Sequence, residues 1–103
     1  MNESILEEFD NELKSQYSYL RYTYVPRKNI FYLNNIGTIK IEDRNKGYAK
    51  ELLFLFFDII KNKNGVLDPG FYTVAGEAYI KPIIERLSKE YNIKLVNIPR
   101  QYD

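Results

Sequence analysis

The prediction of a mixed α/β fold starts from GTIKIEDRNKGYAKELLFLFFDIIKNKNG, residues 37–65. Within it, a helix is expected from residue 46 to about residue 63, and the apolar residues between 52 and 60 lie on nearly all of its sides. Such a helix must be covered on most sides and is expected to lie centrally against a sheet. Cations in the last turn and Gly65 just beyond them are typical of a helix C-terminus. A β-like run at residues 36–41 precedes the helix. The sequence therefore predicts a strand that turns directly into a buried helix.

The N-terminal part of the chain predicts one helix and three strands. Residues 2–16 are expected to form an amphipathic helix, because Ser4-x-x-Glu7 has the pattern of a capping box and the apolar residues fall on one stripe. Asn34-Asn35 tolerates positive φ and suits a two-residue hairpin between two β-like runs. Three consecutive antiparallel strands are the simplest interpretation, at residues 17–25, 30–33 and 36–41.

The C-terminal part predicts a strand, a helix and a final strand. Asp68-Pro69-Gly70 has the composition of a turn, and β-forming residues follow it at 71–74. A helix is expected within residues 76–91, where Pro82 either kinks it or opens a later helix. Residues 93–98 are expected to form the last strand.

Together these elements give the order α-β-β-β-α-β-α-β in a single domain covering residues 1–103, with helices packed on a mixed sheet. One helical crossover joins residues 36–41 to residues 71–74. Because such a crossover returns the chain in the same direction, these two segments are expected to be parallel neighbours.

The composition excludes several classes of chemistry. The chain has no histidine or cysteine, so the usual Ser-His-Asp and Cys-His nucleophile systems and ordinary zinc sites cannot be assembled. Proton transfer then depends on Asp, Glu, Lys, Tyr or a chain terminus. A net charge of +1 gives no global attraction to nucleic acid or membrane, and no apolar run is long enough to span a bilayer. Without cysteine, a reducing, cytoplasmic compartment is the expectation.

The run RNKGYA, residues 44–49, has the pattern of an anion-binding turn. A strand that turns directly into a helix leaves backbone N–H groups unpaired, and the helix dipole adds positive potential at the same place. Phosphates therefore bind well there. Gly47 lets a phosphate approach the backbone, Ala49 keeps the next turn slim, and Arg44 and Lys46 add charge. The alternative interpretation is an ordinary strand-to-helix turn with a surface arginine and lysine.

The pattern R-x-x-G-x-A between a strand and a long apolar helix resembles motif A of the GNAT acyltransferases, which cradles the pyrophosphate of acetyl-coenzyme A. The resemblance extends over roughly residues 30–98. It implies a GNAT-like core that uses acetyl-coenzyme A as cosubstrate and no metal. The family's first strand, much of the helical pair that shapes the acceptor pocket and a common loop proline have no counterpart here. The implied cofactor-binding residues are Ile39, Ile41, Arg44, Asn45, Lys46, Gly47, Tyr48 and Ala49.

The resemblance also implies a mechanism. Family members splay two parallel strands apart, here residues 36–41 and 71–74, and the pantetheine arm lies between them. An amine attacks the thioester, and a backbone N–H near Ile39 or Ile41 stabilises the oxyanion. Tyr79 lies where the family often has the tyrosine that protonates the leaving thiolate. Three carboxylates are candidates for relaying a proton from the amine: Glu42, Asp43 and Glu77.

Several alternatives stay open at this point. The three carboxylates have a simpler interpretation as solvated charges, and Tyr79 as an ordinary core or surface ring. The chain is then an inactive GNAT-like binding module, acting through protein contacts as a homodimer that completes the missing pocket. The aromatic and basic residues 17–28 also suit stacking on single-stranded nucleic acid. A net charge near zero favours instead a half-exposed sheet face or a dimer contact. The acceptor amine is not identified by the sequence.

Overall fold

The structure is a computed structural model that describes residues 9–44 and 46–97. These residues form an α+β fold, a four-stranded mixed sheet with three α-helices. In chain order the elements are β1 (Phe9–Lys14), β2 (Ser18–Val25), β3 (Ile30–Thr38), a 3₁₀ turn (Ile41–Asp43), α1 (Tyr48–Asn62), β4 (Val66–Asp68), α2 (Val74–Tyr79) and α3 (Lys81–Tyr91). No helix in this part of the chain is both long and apolar enough to cross a membrane.

The sheet has two chemically different faces. Its strands lie in the order β1-β2-β3-β4, with β1, β2 and β3 antiparallel and β4 parallel to the start of β3. Side chains alternate across a strand, so Leu20 and Tyr22 of β2 point to the helix face, where α1 packs. Arg21 and Thr23 point to the opposite side, which we call the open face. The open face is mainly polar at its β1 end and carries Asp10, Glu12 and Lys14.

The main core lies between the helix face and α1. Leu53, Phe56, Phe57 and Ile60 are completely buried, and the Phe56 ring lies 4.8 Å from that of Tyr22. α3 covers a second side of α1 and adds Ile84 and Leu87 to the core. Burying one such side chain stabilises the fold by roughly 1.5–3 kcal/mol. The prediction that this helix lies centrally against the sheet is confirmed, although Leu55 on its outer side is half-exposed.

The predicted helix over residues 2–16 is wrong where the structure describes it. Residues 9–14 form β1, which pairs with β2 along its whole length, and residues 2–8 lie outside the described residues. Phe9 and Leu13 are four residues apart, a spacing that shares one face in a helix and one face in a strand alike. Leu13 indeed packs against the core, but from a strand.

The predicted hairpin at Asn34-Asn35 is also wrong, because β3 continues through it as one strand. The two asparagines instead mark a β-bulge, where the register with β2 shifts between Arg21 and Tyr22. The Asn34 side-chain amide donates to the Thr23 hydroxyl at 2.7 Å, and Thr23 donates to Asp10 Oδ1 at 2.6 Å. Side chains from three neighbouring strands are thus connected on the open face.

The crossover from β3 through α1 to a parallel neighbour is confirmed, but the predicted neighbour is wrong. The parallel strand is β4, which pairs with Ile30 to Tyr32 of β3. Residues 71–73 are irregular and Val74 already belongs to α2. The Phe71 side chain is fully exposed. Residues 71–74 are β-forming in type, but this preference depends on packing against a neighbouring strand, and Phe71 has none among the described residues.

The last part of the chain departs from prediction in two ways. The helix expected within residues 76–91 is two helices, α2 and α3, with Pro82 in the first turn of α3, where a missing N–H costs little. This is one of the two outcomes that the proline predicts. The strand expected at residues 93–98 is reduced to a single bridge between Leu95 and Leu67, and residue 98 lies beyond the described part.

Candidate functional site

The predicted anion-binding turn connects the end of β3 to the start of α1. It includes the 3₁₀ turn Ile41–Asp43, closed by bonds from the Asp43 N–H to the Lys40 carbonyl and from the Arg44 N–H to the Ile41 carbonyl, both 3.1 Å. Asp43 is buried in this turn. Asn45, one of the predicted cofactor residues, falls outside the described residues.

Gly47 occupies the N-cap of α1 in a left-handed conformation, with φ +86°. Its carbonyl accepts the first intrahelical bond, from the Glu51 N–H at 3.1 Å, and no side chain caps the helix start. An added Cβ would have no atom within 4 Å. Among the described residues the space beside Gly47 is therefore open, as the approach of a phosphate requires. Glycine also suits this position because L-residues avoid that φ.

The charges of the turn are of both signs. The Lys46 ammonium lies 3.5 Å from Asp43 Oδ1, so an internal carboxylate already neutralises part of its charge. The Arg44 side chain is exposed and forms no ion pair with the carboxylates of residues 9–44 and 46–97. Of the two predicted cations, Arg44 is thus the one available to an incoming anion.

Tyr48 connects the start of α1 to the β1–β2 turn. Its ring stacks on Tyr17, with centroids 4.4 Å apart, and its carbonyl accepts a hydrogen bond from the buried Ser18 hydroxyl at 3.1 Å. The Ser15 hydroxyl oxygen accepts from two backbone N–H groups, so its own proton points to Ser18 Oγ at 2.6 Å. This chain of hydroxyls fixes the first turn of α1 on the sheet. Ala49 is half-buried just behind it.

The two isoleucines predicted to serve the oxyanion do not share one environment. The Ile39 N–H donates to the Tyr17 carbonyl at 2.9 Å, so this donor is already used within the fold. Its side chain faces the open face and lines a shallow depression of about 280 Å³ with Tyr19 and Arg21. Ile41 lies in the 3₁₀ turn with its side chain largely exposed. Because the Ile39 N–H is already used, Ile41 remains the candidate of the two predicted donors.

β3 extends well beyond its pairing with β4. The last pair joins Tyr32 to Asp68, whereas β3 runs on to Thr38. No other strand in the described part of the chain borders the far half of β3 on this side. Gly70 turns the chain away close to Leu33, with a Cβ position 3.1 Å from the Leu33 carbonyl oxygen. A backbone edge is left beside the turn that starts α1.

The predicted general acid, Tyr79, lies at the end of α2 with its ring 59% exposed. α2 packs against α3, and the neighbouring candidate Glu77 is solvated, with only Lys81 at 3.8 Å. The structure thus brings the described turn residues together, but within residues 9–44 and 46–97 the Tyr79 ring is largely exposed and is not enclosed. The catalytic role of Tyr79 is therefore an implication of the resemblance and has no separate support in the geometry around its ring.

A different tyrosine, which the sequence reasoning missed, lies nearer the divergence of β3 and β4. Tyr72 follows Gly70 on the segment that leaves β4, and its half-buried ring packs against the main core. Burial raises the pKa of Tyr72 to about 12, and the negative charges of Glu85 and Asp68 contribute. A phenol with so high a pKa holds its proton firmly. Only its position after the Asp-Pro-Gly turn distinguishes it among ten tyrosines in the sequence.

The arrangement as a whole suits anion binding next to an exposed strand edge. Among residues 9–44 and 46–97, no three acidic side chains converge in a way that could hold a metal ion. No protein-family model, curated protein or solved structure matches this chain. The case for any function therefore depends on the residues and their geometry.

Proposed function

We propose that this protein is a GNAT-like N-acetyltransferase that binds acetyl-coenzyme A and transfers the acetyl group to an amine, in the cytoplasm. The observation that carries the proposal is the coincidence of two features at one end of the sheet. On the side of the sheet where β4 departs, no strand of the described residues borders the far half of β3. The turn that follows β3 presents Gly47 with open space in front of it. An extended amide-rich arm and a pyrophosphate need these two features side by side.

The residues of the turn would hold the cofactor's phosphates. Backbone N–H groups at the start of α1 donate to phosphate oxygens, and the Arg44 guanidinium supplies the charge that Lys46 shares with Asp43. The amide groups of the pantetheine arm hydrogen-bond along the β3 edge in the manner of an added strand. Gly70 lies across from the β3 edge and has no side chain to occupy this space; a Cβ there would lie 3.1 Å from the Leu33 carbonyl oxygen.

The proposed reaction is a direct transfer. The amine nitrogen attacks the thioester carbonyl carbon, a C–N bond forms, and the C–S bond breaks. The oxyanion formed on the way takes a hydrogen bond from the backbone N–H of Ile41. The proton lost by the amine passes to a carboxylate or solvent, and the thiolate takes a proton from Tyr79. The acceptor is an amine whose identity the proposal leaves open.

The second candidate is a GNAT-like binding module without catalysis. Two observations favour it: the Asp43–Lys46 pair reduces the positive charge of the turn, and Tyr79 is largely exposed rather than enclosed. Nucleic acid is a weaker candidate. Arg21, the cation in the tyrosine-rich strand, pairs with Glu12 at 2.8 Å and stacks over Tyr19 at 4.9 Å, which leaves little of its charge for phosphates.

The first experiment measures thermal unfolding with and without acetyl-coenzyme A. A ligand that binds only the folded state at a hundredfold excess over its Kd stabilises it by about 2.7 kcal/mol. For a domain of this size that corresponds to a rise in melting temperature of roughly 10–20 °C. No rise at any soluble concentration of acetyl-coenzyme A would refute cofactor binding, and with it the enzyme.

A matched pair of variants locates the binding. Arg44→Gln is expected to weaken coenzyme A binding about tenfold or more, because a charge-assisted bond to phosphate is lost. Arg86→Gln is the control. Arg86 is also exposed, but it lies on α3 away from the turn and its Nε is 3.7 Å from Glu90 Oε1. Equal affinities for both variants would show that the turn is not the phosphate site. Binding without acetylation of any amine in a broad panel favours the binding module.

A further inference from the structure

β1 forms an exposed edge of the sheet. It is the outermost strand on its side, and none of the residues in 9–44 and 46–97 pairs with its outer backbone edge. All of its residues except Leu13 are exposed. A strand with an unpaired row of N–H and C=O groups is a template for another strand, unless its side chains prevent the pairing.

The open-face side chains of β1 alternate with their cross-strand neighbours in a regular way. Asp10 accepts from the Thr23 hydroxyl at 2.6 Å, and Glu12 pairs with Arg21 at 2.8 Å. Lys14 lies opposite Tyr19 and forms no ion pair with the described carboxylates. The strand thus carries a negative charge near one end and an unneutralised positive charge at the other.

This pattern is self-complementary over the greatest length in one antiparallel register. Two copies of β1 that continue one sheet must place like faces together, so the numbers of opposing residues add to an even sum. With Glu12 opposite its own copy, Asp10 faces Lys14 of the second chain, twice over. Shifting by one step of two residues places Asp10 opposite Glu12, which is repulsive. The opposite shift places Glu12 opposite Lys14, but it leaves only residues 12–14 of the two strands overlapping, too few backbone hydrogen bonds to compete.

This register places the two Glu12 side chains of the dimer opposite each other at its centre. Like charges directly opposite each other on a sheet are destabilising. Here each Glu12 already has the Arg21 guanidinium on its other side, so the central row across four strands reads positive, negative, negative, positive. The row is neutral overall, and the two outer rows are attractive.

We propose that the β1 edge is a homodimer interface, in which a second copy of this chain adds its β1 antiparallel with Glu12 on the two-fold axis. The result is a continuous eight-stranded sheet with Asp10–Lys14 pairs across the seam. The open face then extends over both subunits. This interface lies at the edge of the sheet opposite β4, and the proposal does not rest on acetyl transfer.

A single-cysteine experiment tests the register directly. The chain has no cysteine, so Glu12→Cys introduces the only thiol. Residues directly opposite on antiparallel strands have Cα atoms about 4.5–5.5 Å apart, within the range that a disulfide needs. Glu12→Cys is therefore expected to form a covalent dimer under mild oxidation. Asn11→Cys is the control, because residue 11 faces residue 13 and not its own copy. Equal cross-linking of the two variants, or none with Glu12→Cys, overturns the proposal.

Charge exchange provides an independent test by analytical ultracentrifugation. Asp10→Lys alone and Lys14→Asp alone each place like charges across the seam, and either change is expected to raise the dimer Kd by roughly ten- to a hundredfold. An equimolar mixture of the two variants restores opposite charges in a heterodimer, which is expected to regain wild-type affinity. Asp10→Lys removes the acceptor of the Thr23 hydroxyl. If that variant does not fold, Lys14→Asp and the comparison of Glu12→Cys with Asn11→Cys still test the interface. A wild-type protein that stays monomeric at its solubility limit, or a dimer unaffected by Lys14→Asp, overturns the proposal.

Discussion

Substitution of Gly47 separates the conformation of the turn from its binding role. An L-residue in the left-handed region costs roughly 1–2 kcal/mol, and Gly47 lies there with φ +86°. No steric contact adds to this cost, because nothing lies within 4 Å of the new Cβ. We expect Gly47→Ala to lower the free energy of unfolding by about 1 kcal/mol, and Gly47→Val by about 2 kcal/mol, since β-branched residues avoid this region most. Gly47→Asn is expected to cost least, because asparagine visits it.

The measurement is thermal and urea unfolding of each variant, with coenzyme A titration on the same samples. A loss of 1 kcal/mol lowers the melting temperature of a domain this size by about 4–8 °C. Gly70→Ala is the control for steric contact, because Gly70 also has positive φ, +73°, but its Cβ would meet the Leu33 carbonyl at 3.1 Å. It is expected to destabilise more than Gly47→Ala.

Two results would contradict this reasoning. If Gly47→Val melts at the wild-type temperature, the residue is not held in the left-handed region. If Gly47→Asn is as stable as wild type and binds coenzyme A unchanged, the open space over α1 is not the phosphate site. Gly47→Val therefore tests the backbone conformation of the turn, and Gly47→Asn tests the proposed phosphate site.

Three further predictions concern single hydroxyl groups. Tyr79→Phe is expected to keep stability and cofactor affinity while acetyl transfer falls roughly ten- to a thousandfold; full turnover would show that another group is the acid. Because the pKa of Tyr72 is raised to about 12, the folded state keeps a proton that the unfolded chain loses near pH 10, so stability falls as pH rises through this window. In Tyr72→Phe the fall measured by urea unfolding should be shallower, and an identical pH profile would contradict the assignment. Ser18→Ala removes the bond to the Tyr48 carbonyl and is expected to cost about 1–2 kcal/mol in thermal unfolding, whereas Ser88→Ala, an exposed hydroxyl on α3, should cost far less.

The elements that the sequence predicts well are those with a single consistent pattern. The sequence predicts α1 at residues 46–63 and the helix is observed at Tyr48–Asn62, because the dense apolar run at residues 52–60 favours a helix that is largely covered. β2 was expected at residues 17–25 and is observed at Ser18–Val25. Both elements carry enough apolar surface for local pattern and tertiary packing to agree.

The wrong predictions share a physical cause, which is that a local signal was compatible with two structures. Phe9 and Leu13 are spaced for one face of a helix and of a strand, and pairing with β2 decides between them. Asn34-Asn35 has turn chemistry, yet the same tolerance of unusual backbone serves a bulge. The β-forming residues around Phe71 find no neighbouring strand, so propensity alone did not suffice.

The candidate site was predictable as a location but not as an environment. The turn, the open Gly47 and the exposed Arg44 lie where residues 44–49 indicated. The sequence could not show that the Asp43 carboxylate would reach Lys46, nor that the Ile39 N–H would bond to Tyr17. The first contact depends on the local conformation of residues 43–46, and the second on how the chain after β3 lies against the β1–β2 connection. Tyr72 was missed because its position beside the strand divergence exists only once β4 is assigned to Val66–Asp68.

The bulge at Asn34 divides β3 into two segments of opposite phase. Before it, odd-numbered residues such as Phe31 and Leu33 face the core; after it, the even-numbered Ile36 does. Deleting either asparagine would remove the extra residue and restore regular alternation, with Leu33 and Ile36 still facing the core opposite Tyr22 and Leu20. The side chains that enter the core would stay the same. What would be lost is the local bend and added twist that a bulge gives its strand. The extra residue therefore sets the direction in which β3 approaches the turn that begins α1.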